Sequence, residues 1–190
     1  MKLLQSLTLS VVVGLGSLHG ANYNVDVSHS DIGFSVKHMM ISSVKGNFEK
    51  FSGTFEIDEK TKQFSAINGT VEVASINTKD AKRDAHLIDP DFFDVEKYPK
   101  MSLKLLKHSG DKATFELTIK DVTKVVTLDI DDISDTIKDP WGNTRMAFEL
   151  EGEINRKDFN MNFNELLETG GLMVGDKVKF EIVIEGIQAK

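Results

Sequence analysis

The chain contains no cysteine. That excludes disulfides, thiolate metal sites, cysteine nucleophiles, thiol redox chemistry and lipid attachment through an amino-terminal cysteine. Its 23 Lys and Arg residues are outnumbered by 30 Asp and Glu, leaving a formal charge of −7. No basic stripe interrupts that balance, so nucleic acid and anionic membrane surfaces are poor partners. Tryptophan occurs once and tyrosine twice, too few for the aromatic girdles of a membrane-spanning barrel. Long apolar runs are also scarce. The one present follows Lys2, from Leu3 through Val11, Val12, Val13 and Leu15 to Leu18, broken by Gly14, Gly16 and Ser17. It is too short to cross a bilayer comfortably and ends in small residues, so residues 1–21 read as an export signal cleaved after Gly20 or Ala21. Loss of Lys2 takes the formal charge to −8. What remains, residues 22–190, is expected to be a single periplasmic domain, soluble, without stable membrane insertion, as a monomer or homodimer.

Most of that domain is written in period two, the signature of half-buried strands. Ile32, Phe34, Val36 and His38 share one face, and Phe51, Gly53, Phe55 and Ile57 another. Phe48 and Phe51 differ in parity, which implies a bulge or turn between them. The alternation returns at Ile67–Val73, Met101–Leu105, Phe115–Ile119, Val126–Ile130, Met146–Leu150 and Val178–Ile184. About eight strands suit a closed antiparallel barrel able to hold a small ligand. The opposite faces carry Lys37, Glu56, Glu72, Lys104, Glu116, Lys120, Glu149, Lys179 and Glu181. Charges of both signs belong in water, so the apolar face is the inner one. Two stretches break the period. Asn77–Ile88 reads as a short helix with Asn77 or Thr78 as N-cap, Asp80 in its first turn, and Ala81, Ala85, Leu87 and Ile88 free to face the barrel. Asp158–Thr169 reads as a long mixed loop around Phe159, Phe163, Leu166 and Leu167.

Catalytic constellations are thin. His29, His38, His86 and His108 are scattered without ligand spacing, so no metal site is expected. There is no phosphate-binding glycine loop and no nucleophile elbow, and no catalytic residue is assigned. His38 ends an apolar face, where it would either meet a polar ligand head or be satisfied by backbone. His29, in Asp26-Val27-Ser28-His29-Ser30, fits a local structural role. Arg83 and Asp84 are neighbours that should point apart on a helix. Phe92 and Phe93 are adjacent large rings in a non-periodic connection. In an extended segment they would point to opposite sides, one as a gate and the other as a plug.

The chain resembles the YceI-like family in Asp26…Ser28-His29-Ser30…Phe34-Ser35-Val36-Lys37-His38 and in Val44-Lys45-Gly46-Asn47-Phe48…Phe51-Ser52-Gly53. The likeness continues in Arg83-Asp84-Ala85-His86-Leu87…Asp91-Phe92-Phe93-Asp94…Tyr98-Pro99, Leu117-Thr118-Ile119-Lys120-Asp121-Val122-Thr123-Lys124 and Ile154-Asn155-Arg156-Lys157-Asp158-Phe159. It departs where Lys120-Asp121 and Asn160 replace the family's usual glycines. The resemblance implies an all-β, eight-stranded, lipocalin-like barrel with a short helix and a long loop. It also implies a carrier whose partner is a polyisoprenoid, isoprenoid quinone or fatty-acyl-type lipid, with no covalent cofactor. The physics agrees, since burial yields about 0.8 kcal/mol per CH₂, enough over a long chain to exceed association costs of ~4 to 15 kcal/mol. The residues expected to line the interior are Phe34, Val36, His38, Phe55, Val71, Val73, Phe92, Phe93, Leu103, Phe115, Leu117 and Phe148. Ser35, Lys37 and His38 are candidates for the head group. The alternatives are an enzyme acting on a lipid-like substrate through His38 or His86, and a stress-response module with a solid interior.

Overall fold

The computed structural model describes residues 20–168 and 170–190. Of the expected export signal, residues 1–19 lie outside the described residues. The strands are β1 (Ala21–Val25), β2 (Asp31–His38), β3 (Ser42–Phe48), β4 (Phe51–Asp58), β5 (Gln63–Glu72) and β6 (Ile76–Asn77). After the helix α1 (Ala81–Ile88) come β7 (Lys100–Ser109), β8 (Lys112–Ile119), β9 (Val122–Asp131), β10 (Ile137–Lys138), β11 (Thr144–Asn155) and β12 (Val174–Gln188). β1 and β2 form one long strand interrupted by the turn Val27–His29. β3 and β4 form a second, interrupted at Glu49 and Lys50, between the two phenylalanines of opposite parity. The two long strands pair antiparallel, His38 opposite Ser42 and Ala21 opposite Ile57. From β4 the sheet continues through β5, β7, β8, β9 and β11. β12 closes the ring, pairing with β11 on one side and with β1 and β2 on the other. With each interrupted strand counted once, this is an eight-stranded antiparallel barrel.

One end of the barrel is solid. Tyr23, Phe55, Phe64, Phe115 and Phe148 are each 2% exposed or less. Tyr23 stacks on Phe55 with centroids 4.9 Å apart, and Phe148 meets Phe55 edge-on at 5.1 Å and Phe64 at 4.7 Å. β12 passes these rings at Gly186, where an added Cβ would lie 2.4 Å from the Phe55 ring. Two bulges shape this end. In β5 the pairing slips between Glu56–Ala66 and Ile57–Phe64, and in β7 between Leu105–Phe115 and Lys107–Thr114. Each extra residue reverses which parity faces inward. Phe64 and His108 thereby turn into the core, and His108 is satisfied there: Nδ1 accepts from the Phe64 N–H (3.1 Å) and Nε2–H donates to the Gly110 carbonyl (2.9 Å).

The other end is covered by α1, the turns of residues 89–98 and the helical turn Arg156–Phe159. α1 starts later than the sequence suggests. Its N-cap is Asp80, which accepts from the Lys82 and Arg83 N–H groups, rather than Asn77 or Thr78. Thr78 is instead a buried tie. Its N–H and hydroxyl donate to Asp84 (2.9 and 2.5 Å), while its hydroxyl and carbonyl oxygens accept from Arg83 Nε and Nη2 (both 2.8 Å). Arg83 and Asp84 therefore converge on one residue, because the chain before the cap curls back over the first turn. Ala81 and Ala85 are exposed. Leu87 and Ile88 alone carry the helix's apolar contact, against the cluster of Phe48, Val71, Val73 and Ile76.

Candidate functional site

Between the solid end and the covered end lies an apolar cavity of about 220 Å³. Its floor is Phe148, Leu150 and Ile184, its walls include Val71, Leu103, Leu117 and Phe180, and its roof is Leu87, Phe92 and Phe93. β5 contributes Gly69, where an added Cβ would have nothing within 4 Å. A second cavity of about 650 Å³ shares Phe34, Val36, Leu87, Phe92 and Val174 with the first; it adds the apolar Val44, Phe163 and Met173 and a set of polar groups, Lys37, His38, Asp80, Lys82, Arg83, His86 and Glu165. It forms a vestibule at the barrel mouth, beneath α1 and the loop carrying Phe163.

Of the twelve residues expected to line the interior, Phe34, Val36, Val71, Phe92, Phe93, Leu103, Leu117 and Phe148 stand on the apolar cavity. His38 stands in the vestibule. Phe55 and Phe115 point inward but sit below the cavity floor, in the solid end. Val73 is buried outside the cavity, in a helical turn that packs against Phe48 and Ile76. Alternation specifies the side of the sheet a residue occupies, not its height along the barrel. Phe92 and Phe93 also depart from expectation. Their segment is coiled by Phe92 N–H and Asp94 N–H donating to the Asp89 carbonyl, so both rings reach the same cavity. Phe92 divides cavity from vestibule, edge-on to His86 (5.1 Å) and 5.0 Å from Phe163. Phe93 packs edge-on to Phe48 (6.1 Å).

Arg156, to which sequence reasoning assigned no role, borders the cavity and is 3% exposed. Its guanidinium donates to the carbonyls of Gly175 (2.9 Å), Met161 (2.6 Å) and Val174 (3.4 Å), and to Asp176 (3.3 Å). Burial pushes its pKa down, against the attraction of Asp176. The signal for it was present: Met146, Phe148, Leu150 and Ile154 face inward, and the same parity leads to Arg156. At the solid end, ligand-type atoms of Asp26, His29 and Glu185 converge. Their negative charge is already met by Arg145, whose Nη1 lies 2.7 Å from Asp26 and 2.6 Å from Glu185. His29 bonds to Asp26 at 2.8 Å, which caps the turn before β2.

The family model of the YceI-like domain matches residues 23–186. The chain belongs to the YceI-like family. A UPF0312 protein of Staphylococcus aureus strain N315 is 36% identical over 167 residues, covering 86% of this chain and 96% of its own. The crystal structure of the Campylobacter jejuni YceI protein is 32% identical with a TM-score of 0.69, covering 81% of this chain and 90% of its own. A domain from Saccharophagus degradans described as polyisoprenoid-binding has a TM-score of 0.64 at 15% identity, covering 90% of this chain and 99% of its own. At that identity the likeness is one of fold.

Proposed function

We propose that this YceI-like chain is a periplasmic carrier for a long-chain amphiphile, a polyisoprenoid, isoprenoid quinone or fatty-acyl lipid, and has no catalytic role. The observation that carries the reading is the unequal filling of the barrel. One end is packed with rings, while the other keeps an apolar cavity that adjoins a vestibule of mixed apolar and charged lining. A binding site for a drug-sized ligand spans roughly 300 to 1,000 Å³. The apolar cavity alone falls short of that, so the chain end occupies it and the rest of the molecule runs past Phe92 into the vestibule. Dispersion and dehydration hold the chain at about 0.8 kcal/mol per CH₂, and Lys37, His38, Lys82 and Arg83 surround the head. The description of the Saccharophagus degradans domain is consistent with a ligand of this class.

Organic extraction of the protein isolated from its native compartment, followed by mass spectrometry, tests the proposal. One long-chain compound per barrel is the expected result. A well-folded protein that yields none, or that turns such a compound over, would count against it.

A further inference from the structure

The β2–β3 hairpin ends in an apolar tip. Met40 is 73% and Ile41 84% exposed, beside the partly exposed Met39. Leu166, 79% exposed, stands on the neighbouring segment. The two segments are joined, since the Met39 N–H donates to the Met173 carbonyl (2.8 Å), Leu166 bridges to Leu172, and Met40 approaches Gly171. Scattered exposed apolar side chains need no explanation, but these four adjoin at the rim of the vestibule.

The backbone there works against its own side chains. Met39 (φ +50°) and Met40 (φ +64°) are both left-handed, in a turn closed by the Ile41 N–H donating to the His38 carbonyl (3.2 Å). Two successive positive φ values are ordinarily met by Asn and Gly, so folding stability alone favours those residues. What stands there instead are two flexible thioethers, side chains suited to an irregular apolar phase. The rim also has the charge for a headgroup layer. Lys37 and Lys82 line the vestibule and take part in no ion pair among the described residues; Arg83 there is offset by Asp80, 3.7 Å away, and Glu165 is the other acid of the lining, so three cations against two carboxylates leave the mouth positive by one. The rest of the chain is acidic, which confines contact with anionic lipid to this end.

We propose that this tip docks on the headgroup surface of a phospholipid bilayer, with Met39, Met40, Ile41 and Leu166 entering the interface. The mouth then faces the membrane and the ligand passes between bilayer and barrel without crossing water. The purpose of docking rests on the carrier reading above; the docking itself is measurable apart from it.

The test uses vesicles of equal parts phosphatidylcholine and phosphatidylglycerol, with cis-parinaric acid as the transferable probe. The variant is the double substitution Met39→Asn, Met40→Gly, which relieves the turn and so folds at least as well as the wild type. Co-sedimentation of the mature protein with vesicles should fall by about tenfold or more in the variant. Probe transfer should accelerate with vesicle concentration in the wild type and become independent of it in the variant. Trp141, the chain's one tryptophan, lies at the far end in the β10–β11 turn, and its emission should not shift on docking. Equal co-sedimentation of both proteins would overturn the proposal. So would a blue shift of Trp141, or self-association without vesicles that the variant abolishes, which would make the tip a contact between copies. A wild type that docks but holds no cis-parinaric acid would uphold the docking surface and refute the carrier reading instead.

Discussion

Arg145 joins parts of the chain that lie far apart in sequence. Its guanidinium donates to Asp139 (2.8 Å), Asp26 (2.7 Å) and Glu185 (2.6 Å), linking the β10–β11 turn, the turn before β2 and the last strand. The Arg145 hydrogen bond holds the Asp139 carboxyl well below the usual carboxylate range. Asp26 is held equally low, first by the Ser28 hydroxyl and then by Arg145. A carboxyl whose pKa is depressed on folding contributes stability above its unfolded value of about 3.9 and loses it as pH falls toward its folded value. Replacing Arg145 by Met should therefore lower the melting temperature at neutral pH, and the deficit should narrow as pH falls from about 4 toward 2. Thermal melts followed by circular dichroism across that range check this, and a deficit that stays constant with pH would contradict it.

Among the elements, the β8–β9 turn and the turns of residues 89–98 act together. Lys120 occupies a left-handed position (φ +56°) where the family resemblance leads one to expect glycine, and Asn160 (φ +60°) does the same after Phe159. The strain at Lys120 has a counterpart: its Nζ donates to the Phe92 carbonyl (3.0 Å) and stands over the Tyr98 ring. A lysine here holds the segment that carries the ring between cavity and vestibule. Lys120→Gly should relieve roughly 1 kcal/mol of backbone strain, leave the melting temperature equal or higher, and speed release of cis-parinaric acid. Stopped-flow measurement of that release checks it, and an unchanged rate would show that the tie does not restrain Phe92. Elements of this kind were only partly legible in the sequence. Strong alternation marked the eight main segments. β3 was missed as a strand because Gly46 leaves it only Val44 and Phe48 as apolar signals, and β1 because it is short and adjoins the amino-terminal apolar run. The bulges of β5 and β7 leave no pattern in either strand alone, since a slip exists only between partners.

For the whole molecule, the barrel and the inward face followed from periodicity and charge, whereas the division into a solid and a hollow half did not. Phe55 and Phe115 carry the same local pattern as Leu103 and Leu117. What separates them is height, set by Tyr23 stacking on Phe55, by Phe64 and His108 turned inward at the bulges, and by the close approach of β12 at Gly186. The inward cation Arg156 falls on the apolar parity of β11, but what makes a buried charge tolerable there, the carbonyls of Met161, Val174 and Gly175, lies outside that strand's own pattern. The central claim is that the hollow half is a ligand site and not a packing defect. Gly69 tests it most directly, because it faces the cavity from mid-strand with room for a side chain. Lipid-stripped wild type and Gly69→Leu should be titrated side by side with cis-parinaric acid, with a thermal melt of each. The account predicts saturable binding of one probe per wild-type barrel, affinity weaker by about tenfold or more in the variant, and a variant melting temperature no lower than the wild type's. A variant that binds the probe as tightly as the wild type would contradict it, as would a wild type that does not bind at all.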